Sequence, residues 1–182
     1  MQSETAITSA AGSLGQEALD GIFDEYAPAL YKYLLRLGLG SQEADQTVGD
    51  VFARLLDKLV EGKGPRKNLR SYLFQIAYHL VVDDARNRQR TAPLDVADTI
   101  KKDTKPVQAQ TEHKMLLENL SEVMARELTE DQRNIIILRY QEDFSLKETA
   151  EIIGKNVNAV KALQSRAIKK LRQAMSPENE GE

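Results

Sequence analysis

The run Ser145-Leu-Lys-Glu-Thr-Ala-Glu-Ile-Ile-Gly154, continued by Lys155-Asn-Val-Asn-Ala-Val-Lys-Ala-Leu-Gln-Ser-Arg-Ala-Ile-Lys-Lys-Leu171, leaves few folds open. Ser145 is a good N-cap, and Glu148 three residues later completes a capping box. Gly154 falls where a helix stops in the left-handed conformation that glycine adopts cheaply. At about 100° per residue, Val157, Val160, Leu163, Ala167 and Leu171 share one side of the following helix. Asn158, Lys161, Ala162, Ser165, Lys169 and Arg172 share the other. Between Lys155 and Arg172 there are six basic residues and no acidic one. This is the layout of a helix-turn-helix, whose second helix enters the major groove of DNA. A solvated hairpin in an ordinary bundle is the alternative for this segment alone.

Composition removes other classes. The 182 residues contain no cysteine and only His79 and His113, which excludes zinc fingers, thiol chemistry and disulfide scaffolds. The histidines stand far apart with no ligand spacing, and there is no glycine-rich phosphate loop. No catalytic, metal or cofactor site is expected. With no apolar run near the ~18 residues of a membrane span and no signal pattern, the chain is expected to be soluble and cytoplasmic, with no membrane insertion of its own.

A formal net charge of −3 suits a DNA binder poorly until its distribution is considered. Met1 to Tyr31 hold five acids and no Lys or Arg, and the end adds Glu178, Glu180 and Glu182. Gly62 to Arg90 hold seven basic residues against Asp83 and Asp84. Two basic islands in an acidic chain predict two meetings with nucleic acid. They also predict weak binding by the free protein, because phosphate attraction sets non-specific affinity.

The predicted class is all-α: two small helical domains joined by a flexible linker, the second a four-helix unit with the helix-turn-helix. Residues 1–15 are small, polar and aperiodic, which predicts disorder. Residues 16–90 form the first unit. Leu19, Ile22, Phe23, Tyr26, Leu30, Leu34 and Leu37 keep helical spacing, with a kink or restart expected at Pro28. Ser41 is expected to cap a second helix that buries Ala44, Val48, Val51, Phe52, Leu55 and Leu59. After a Gly- and Pro-containing loop to Asn68, a third helix from Leu69 to Arg90 buries Leu69, Leu73, Ile76, Ala77 and Leu80. Residues 91–111, aperiodic and containing Pro93 and Pro106, are expected to be the linker. Residues 112–175 form the second unit, in which Thr129 caps a helix with Gln132 in the box position; 176–182 are an acidic tail. Ile135-Ile-Ile137 is β-prone, but its cap and setting predict helix.

Two regions carry a family resemblance. Glu43-Ala-Asp-Gln-Thr-Val-Gly-Asp-Val-Phe52 followed by Leu69-Arg-Ser-Tyr-Leu-Phe-Gln-Ile-Ala-Tyr-His-Leu-Val-Val-Asp-Asp-Ala-Arg86 resembles domain 2 of bacterial RNA polymerase sigma factors of the extracytoplasmic-function group. Leu128-Thr-Glu-Asp-Gln-Arg-Asn-Ile-Ile-Ile-Leu-Arg-Tyr140 with the helix-turn-helix resembles domain 4. The resemblance covers about Leu19 to Met175. Departures are Gln46 for an acid, Thr47 for Leu, Gly49 for Gln, Tyr72 for Trp and His79 for Asn.

The resemblance implies a factor that directs core RNA polymerase to promoters, by recognising the −35 element and capturing and melting the −10 element. It implies docking of Asp45, Gln46, Gly49, Asp50 and Asp57 on the β′ clamp, a further contact with the β flap, promoter DNA as ligand, and an anti-sigma protein. The −10 strand would meet Lys63, Arg66, Lys67, Asn68, Phe74, Tyr78, His79, Arg86 and Arg88. A mix of cations and rings suits single strands, with stacking worth ~1–3 kcal/mol per base. Tyr72 is either strand-facing or core. Phe74 and Tyr78, off the Leu69–Leu73–Ile76 stripe, are the better strand candidates, with packing on the first helix as the alternative. The −35 duplex would meet Asn158, Ala159, Lys161, Ala162 and Ser165, while Arg166, Lys169 and Arg172 hold phosphates. A stand-alone helix-turn-helix regulator with an N-terminal sensing or dimerisation domain explains the last third equally well. It gives no reason for the island at Gly62–Arg90. An all-helical enzyme lacks acid, base or metal groups.

Overall fold

A computed structural model describes residues 16–65, 67–91 and 112–176. The chain divides into two compact units, Met1–Lys102 and Asp103–Glu182. The described residues are helices and connections, with no strand among them. The expectations for residues 1–15, most of the 91–111 linker and the tail after Ser176 lie outside the described residues.

In the first unit, α1 (Gln16–Arg36), α2 (Ser41–Val60) and α3 (Leu69–Thr91) pack pairwise on one another. Pro28 does not restart α1, which runs through it. The ring is exposed, as is Asp24 one turn earlier, so the carbonyl that loses its intrahelical donor lies on the water side. Ala27, Leu30, Tyr33 and Leu34 on the other side are buried and hold the helix together. The core joins Leu30, Tyr33 and Leu34 to Val51 and Leu55 of α2 and to Leu73, Phe74 and Ala77 of α3. Leu59 and Leu80, expected in the core, are half-buried near its edge.

Ser41 does not cap α2. Gly40 takes that position with extended backbone and no side-chain bond, and Ser41 is the first helical residue. Its hydroxyl bonds the Tyr31 hydroxyl at 2.8 Å, tying α2 to α1. Gly62, at φ 69°, turns the chain out of α2, and the Lys63 amide donates back to the Lys58 carbonyl at 2.8 Å.

In the second unit, α4 (Glu112–Glu127), α5 (Glu130–Tyr140), α6 (Leu146–Ile153) and α7 (Val157–Ala174) enclose a separate core. Both expected capping boxes are formed, Thr129 with Gln132 and Ser145 with Glu148. Ile135 to Leu138 are four consecutive buried residues, so the segment shows no one-sided periodicity. It is helical because its cap starts it and its neighbours α6 and α7 cover it. Gly154 ends α6 in the left-handed conformation at φ 66°, ψ 31°. Asp131 and Lys155 then pair at 3.1 Å, holding the turn to the start of α5.

Candidate nucleic-acid interface

The second unit presents a basic helix face. Asn156 caps α7, its side-chain oxygen accepting from the Ala159 amide at 2.8 Å. Sequence reading missed this cap, although Asn two residues after Gly154 is a ready signal for it. The cap places Asn158 in the first turn. Asn158, Lys161, Ala162, Ser165, Arg166, Lys169 and Arg172 are all exposed. Ala159 differs: it is half-buried and its amide is taken by the cap. On the inner side Val160 and Ala167 are fully buried and Leu163 and Leu171 half-buried. Val157, expected inside, is 40% exposed because the first helical position projects past the neighbouring helices.

The six cations of this segment divide by use. Lys155 is engaged by Asp131, and Lys170 donates to the Glu127 carbonyl at the end of α4, 2.9 Å away. Lys161, Arg166, Lys169 and Arg172 remain outward, with no acidic partner among the described residues. A shallow groove of about 600 Å³ runs beside them, lined also by Leu146, Ile168 and Arg139. Arg139 is anchored by donating to the Phe144 carbonyl. Tyr140 accepts from the Gln164 amide at 2.8 Å, fixing α7 against α5. Sequence reading assigned neither residue a site role, yet Tyr140 holds the basic helix and Arg139 lines the groove beside it.

The first unit presents two further surfaces. Asp45, Gln46, Gly49, Asp50 and Asp57 are all exposed along α2, opposite the buried Ala44, Val48, Val51, Phe52 and Leu55. A Cβ built on Gly49 meets nothing within 4 Å.

The loop and α3 depart more from expectation. Phe74 is fully buried, its ring 5.0 Å from that of Tyr33 and covered by the Arg70 guanidinium at 5.3 Å. Tyr78 is 6% exposed. Neither ring is presented for stacking on a base in this conformation. The cause is that α3 packs against both α1 and α2, so residues off one apolar stripe still face a neighbour. Asn68 is also diverted: at φ 51° its side chain accepts from the Ser71 amide at 3.0 Å and caps α3. Lys63 lies 3.3 Å from Glu61, which also accepts from Lys58 at 2.9 Å. Those two lysines, Lys58 first, hold the Glu61 carboxyl below the usual carboxylate range. Glu61 in turn raises Lys58 above the usual lysine range. Lys67, His79 and Arg86 are exposed and Tyr72 is half-buried. Arg66 and the side chain of Arg88 lie outside the described residues.

No group of three or more metal-binding side chains occurs among the described residues, and none of their helices is long and apolar enough to cross a membrane.

The two units match two family models: sigma-70 region 2 over residues 22–91 and sigma-70 region 4 over residues 125–173. The extracytoplasmic-function RNA polymerase sigma factor SigX of Bacillus subtilis is 30% identical over 166 residues, covering 88% of this chain and 84% of SigX. Among solved structures, CnrH bound to the cytosolic domain of CnrY aligns with TM-score 0.67 at 21% identity, over 96% of this chain and 99% of CnrH. RpoE of Bartonella quintana, bound to the anti-sigma factor NepR, aligns with TM-score 0.63 at 21% identity, over 85% and 94% of the two chains. These two structures establish likeness of fold.

Proposed function

We propose, for a chain that belongs to the sigma-70 family and within it to the extracytoplasmic-function RNA polymerase sigma factors, that each unit performs one part of promoter recognition. The protein is a transcription initiation factor that directs core RNA polymerase to promoters. Residues 112–175 act as the domain that reads the −35 duplex, and residues 16–90 as the domain that docks on core polymerase and handles the −10 strand.

The observation that carries the reading is the outward face of α7. Four cations without acidic partners among the described residues stand there with Asn158 and Ser165, on a helix braced by α6 across a glycine turn. Lys161 and Ser165 reach base edges while Arg166, Lys169 and Arg172 hold phosphates. Ala159 is left out of the base-reading set because it turns partly inward.

On the first unit, Asp45, Gln46, Gly49, Asp50 and Asp57 form the face for the polymerase clamp, where acidic and polar groups set register and on-rate against a basic partner. The −10 strand meets Lys67, Tyr72, His79 and Arg86 instead of Phe74 and Tyr78. Partners are core polymerase, promoter DNA and an anti-sigma protein, the last supported by the NepR complex of a factor of similar fold. The bond-making chemistry and its magnesium belong to the polymerase, and the work is cytoplasmic.

The test replaces Lys161 with Ala in reconstituted holoenzyme. Promoter binding should weaken by ~1–3 kcal/mol if the lysine contacts a base, with relaxed preference at one −35 position. Unchanged binding and unchanged sequence preference would show a solvated lysine.

A further inference from the structure

Little buried bulk holds α7 in its unit. Only Val160 and Ala167 are fully buried along it, both small, while Leu163, Ile168 and Leu171 are half-buried. Such a seam interdigitates less than a core of large side chains and resists rolling or sliding less. Polar side chains supply the missing grip. Ahead of the first turn, the Lys155 ammonium pairs with Asp131 at 3.1 Å. At the middle, the Gln164 amide donates to the Tyr140 hydroxyl at 2.8 Å. Near the end, the Lys170 ammonium donates to the Glu127 carbonyl at 2.9 Å. The first two anchors occupy opposite ends of α5, Asp131 being its second residue and Tyr140 its last. Nine positions separate Asp131 from Tyr140, and nine separate Lys155 from Gln164. Helix α5 is therefore a strut, about 13.5 Å between anchors, gripping α7 at two points in matching register. Gln164 lines the groove together with Lys161 and Ser165, so the middle anchor sits beside the side chains assigned to base edges.

We infer that Asp131 and Tyr140 are specificity-determining positioning residues, which hold Lys155 and Gln164 so that α7 keeps the pose in which Lys161 and Ser165 discriminate between −35 sequences. This rests on the reading of α7 as the duplex-binding helix. Hydrogen bonds to base edges demand short distances and near-linear geometry, so a small roll of α7 breaks them. Phosphate contacts are more forgiving, because the long stems of Lys and Arg follow the backbone as the helix shifts. Loss of the bracket therefore lowers discrimination more than affinity. Its contribution to stability is small, since the anchors are open to water, Tyr140 being 54% exposed.

The middle anchor offers the cleanest test, because Tyr140→Phe keeps the ring and Gln164→Met keeps the length while each removes the bond. The first arm uses the full chain without DNA and measures residual dipolar couplings of α7 amides against those of α5. Both variants should change or reduce the α7 couplings while the melting temperature stays near wild type. Couplings that superimpose on wild type in both variants overturn the inference. The second arm uses reconstituted holoenzyme and the ratio of affinities for a preferred and a base-substituted −35 element. Tyr140→Phe and Gln164→Met should each lower that ratio about fivefold, the low end of what one base contact supplies. The double variant should lose no more than either single one, because both remove the same bond. Equal weakening on all sequences by Tyr140→Phe would make the hydroxyl a phosphate contact and overturn its positioning role. A ratio lowered by Lys161→Ala but kept by both anchor variants overturns the bracket and leaves the reading of α7 standing. A ratio that even Lys161→Ala leaves unchanged overturns that reading, and the bracket's part in discrimination with it.

Discussion

The helices α3 and α7 look alike in sequence, amphipathic and basic on one side, yet they keep their side chains for different purposes. On α7 every outward residue named from the helical wheel is exposed, and only Ala159, which the resemblance added to them, is half-buried. On α3 the wheel misplaces Phe74 and Tyr78. Neighbours touch α7 along one arc, with full burial only at Val160 and Ala167. In α3, buried residues from Leu69 to Tyr78 cover roughly 220° of the circumference at about 100° per residue. A wheel drawn from one apolar stripe identifies the free face of a helix whose fully buried arc is narrow. It fails where the buried arc is wide, because aromatic residues beside the stripe are then buried as well.

The largest expected effect tests that difference directly. Phe74→Ala should destabilise the protein by ~3–5 kcal/mol, the usual cost of removing a fully buried ring. A lower melting temperature should accompany it. If stability stays at wild type and only promoter opening suffers, the ring is strand-facing and the comparison breaks.

Asp50→Lys should weaken capture by core polymerase by roughly tenfold, mostly through association rate and salt dependence. Helical content and melting temperature should stay near wild type, since Asp50 is exposed on α2. Unchanged capture would leave that face merely solvated.

Gly49→Ala sharpens the same point on the stability side. The added methyl meets nothing, so the helix should gain ~1 kcal/mol in propensity. Loss of core binding in this stabilised variant would show that the partner approaches the bare backbone there.

The smallest effect concerns Glu61. Its carboxyl is held below the usual range by Lys58 and then Lys63. Whatever stability this exposed cluster adds is present above the ordinary carboxylate pKa and lost as pH falls through the depressed one. NMR titration should find Glu61 ionising below an ordinary glutamate, and Lys58→Met should return it upward. An ordinary value in the wild-type chain would mean that the cluster is not populated in solution.

Much of the fold was legible because local signals and tertiary packing agree. The boxes at Thr129 and Ser145 and the left-handed turn at Gly154 are fixed by short-range chemistry, so three or four residues suffice to read them. Ser41 was misread because two cap positions are adjacent: Gly40 takes the cap, and the Ser41 hydroxyl bonds Tyr31, ten residues earlier, instead of the helix end. Pro28 was misread for the opposite reason: four buried neighbours outweigh a lost hydrogen bond that faces water. The site divides in the same way. An exposed face such as that of α7 or α2 follows from periodicity, whereas the diversion of Asn68 into a cap and of Lys63 towards Glu61 depends on a loop geometry that no periodicity encodes.

This factor works on promoters as a part of RNA polymerase, and a gel shift on promoter DNA at physiological salt with and without core enzyme tests that most directly. The expected result is a sequence-specific complex only when core polymerase is present, with the free protein weak and non-selective. A tight, sequence-specific duplex complex formed by the free wild-type protein would contradict it and restore the stand-alone regulator.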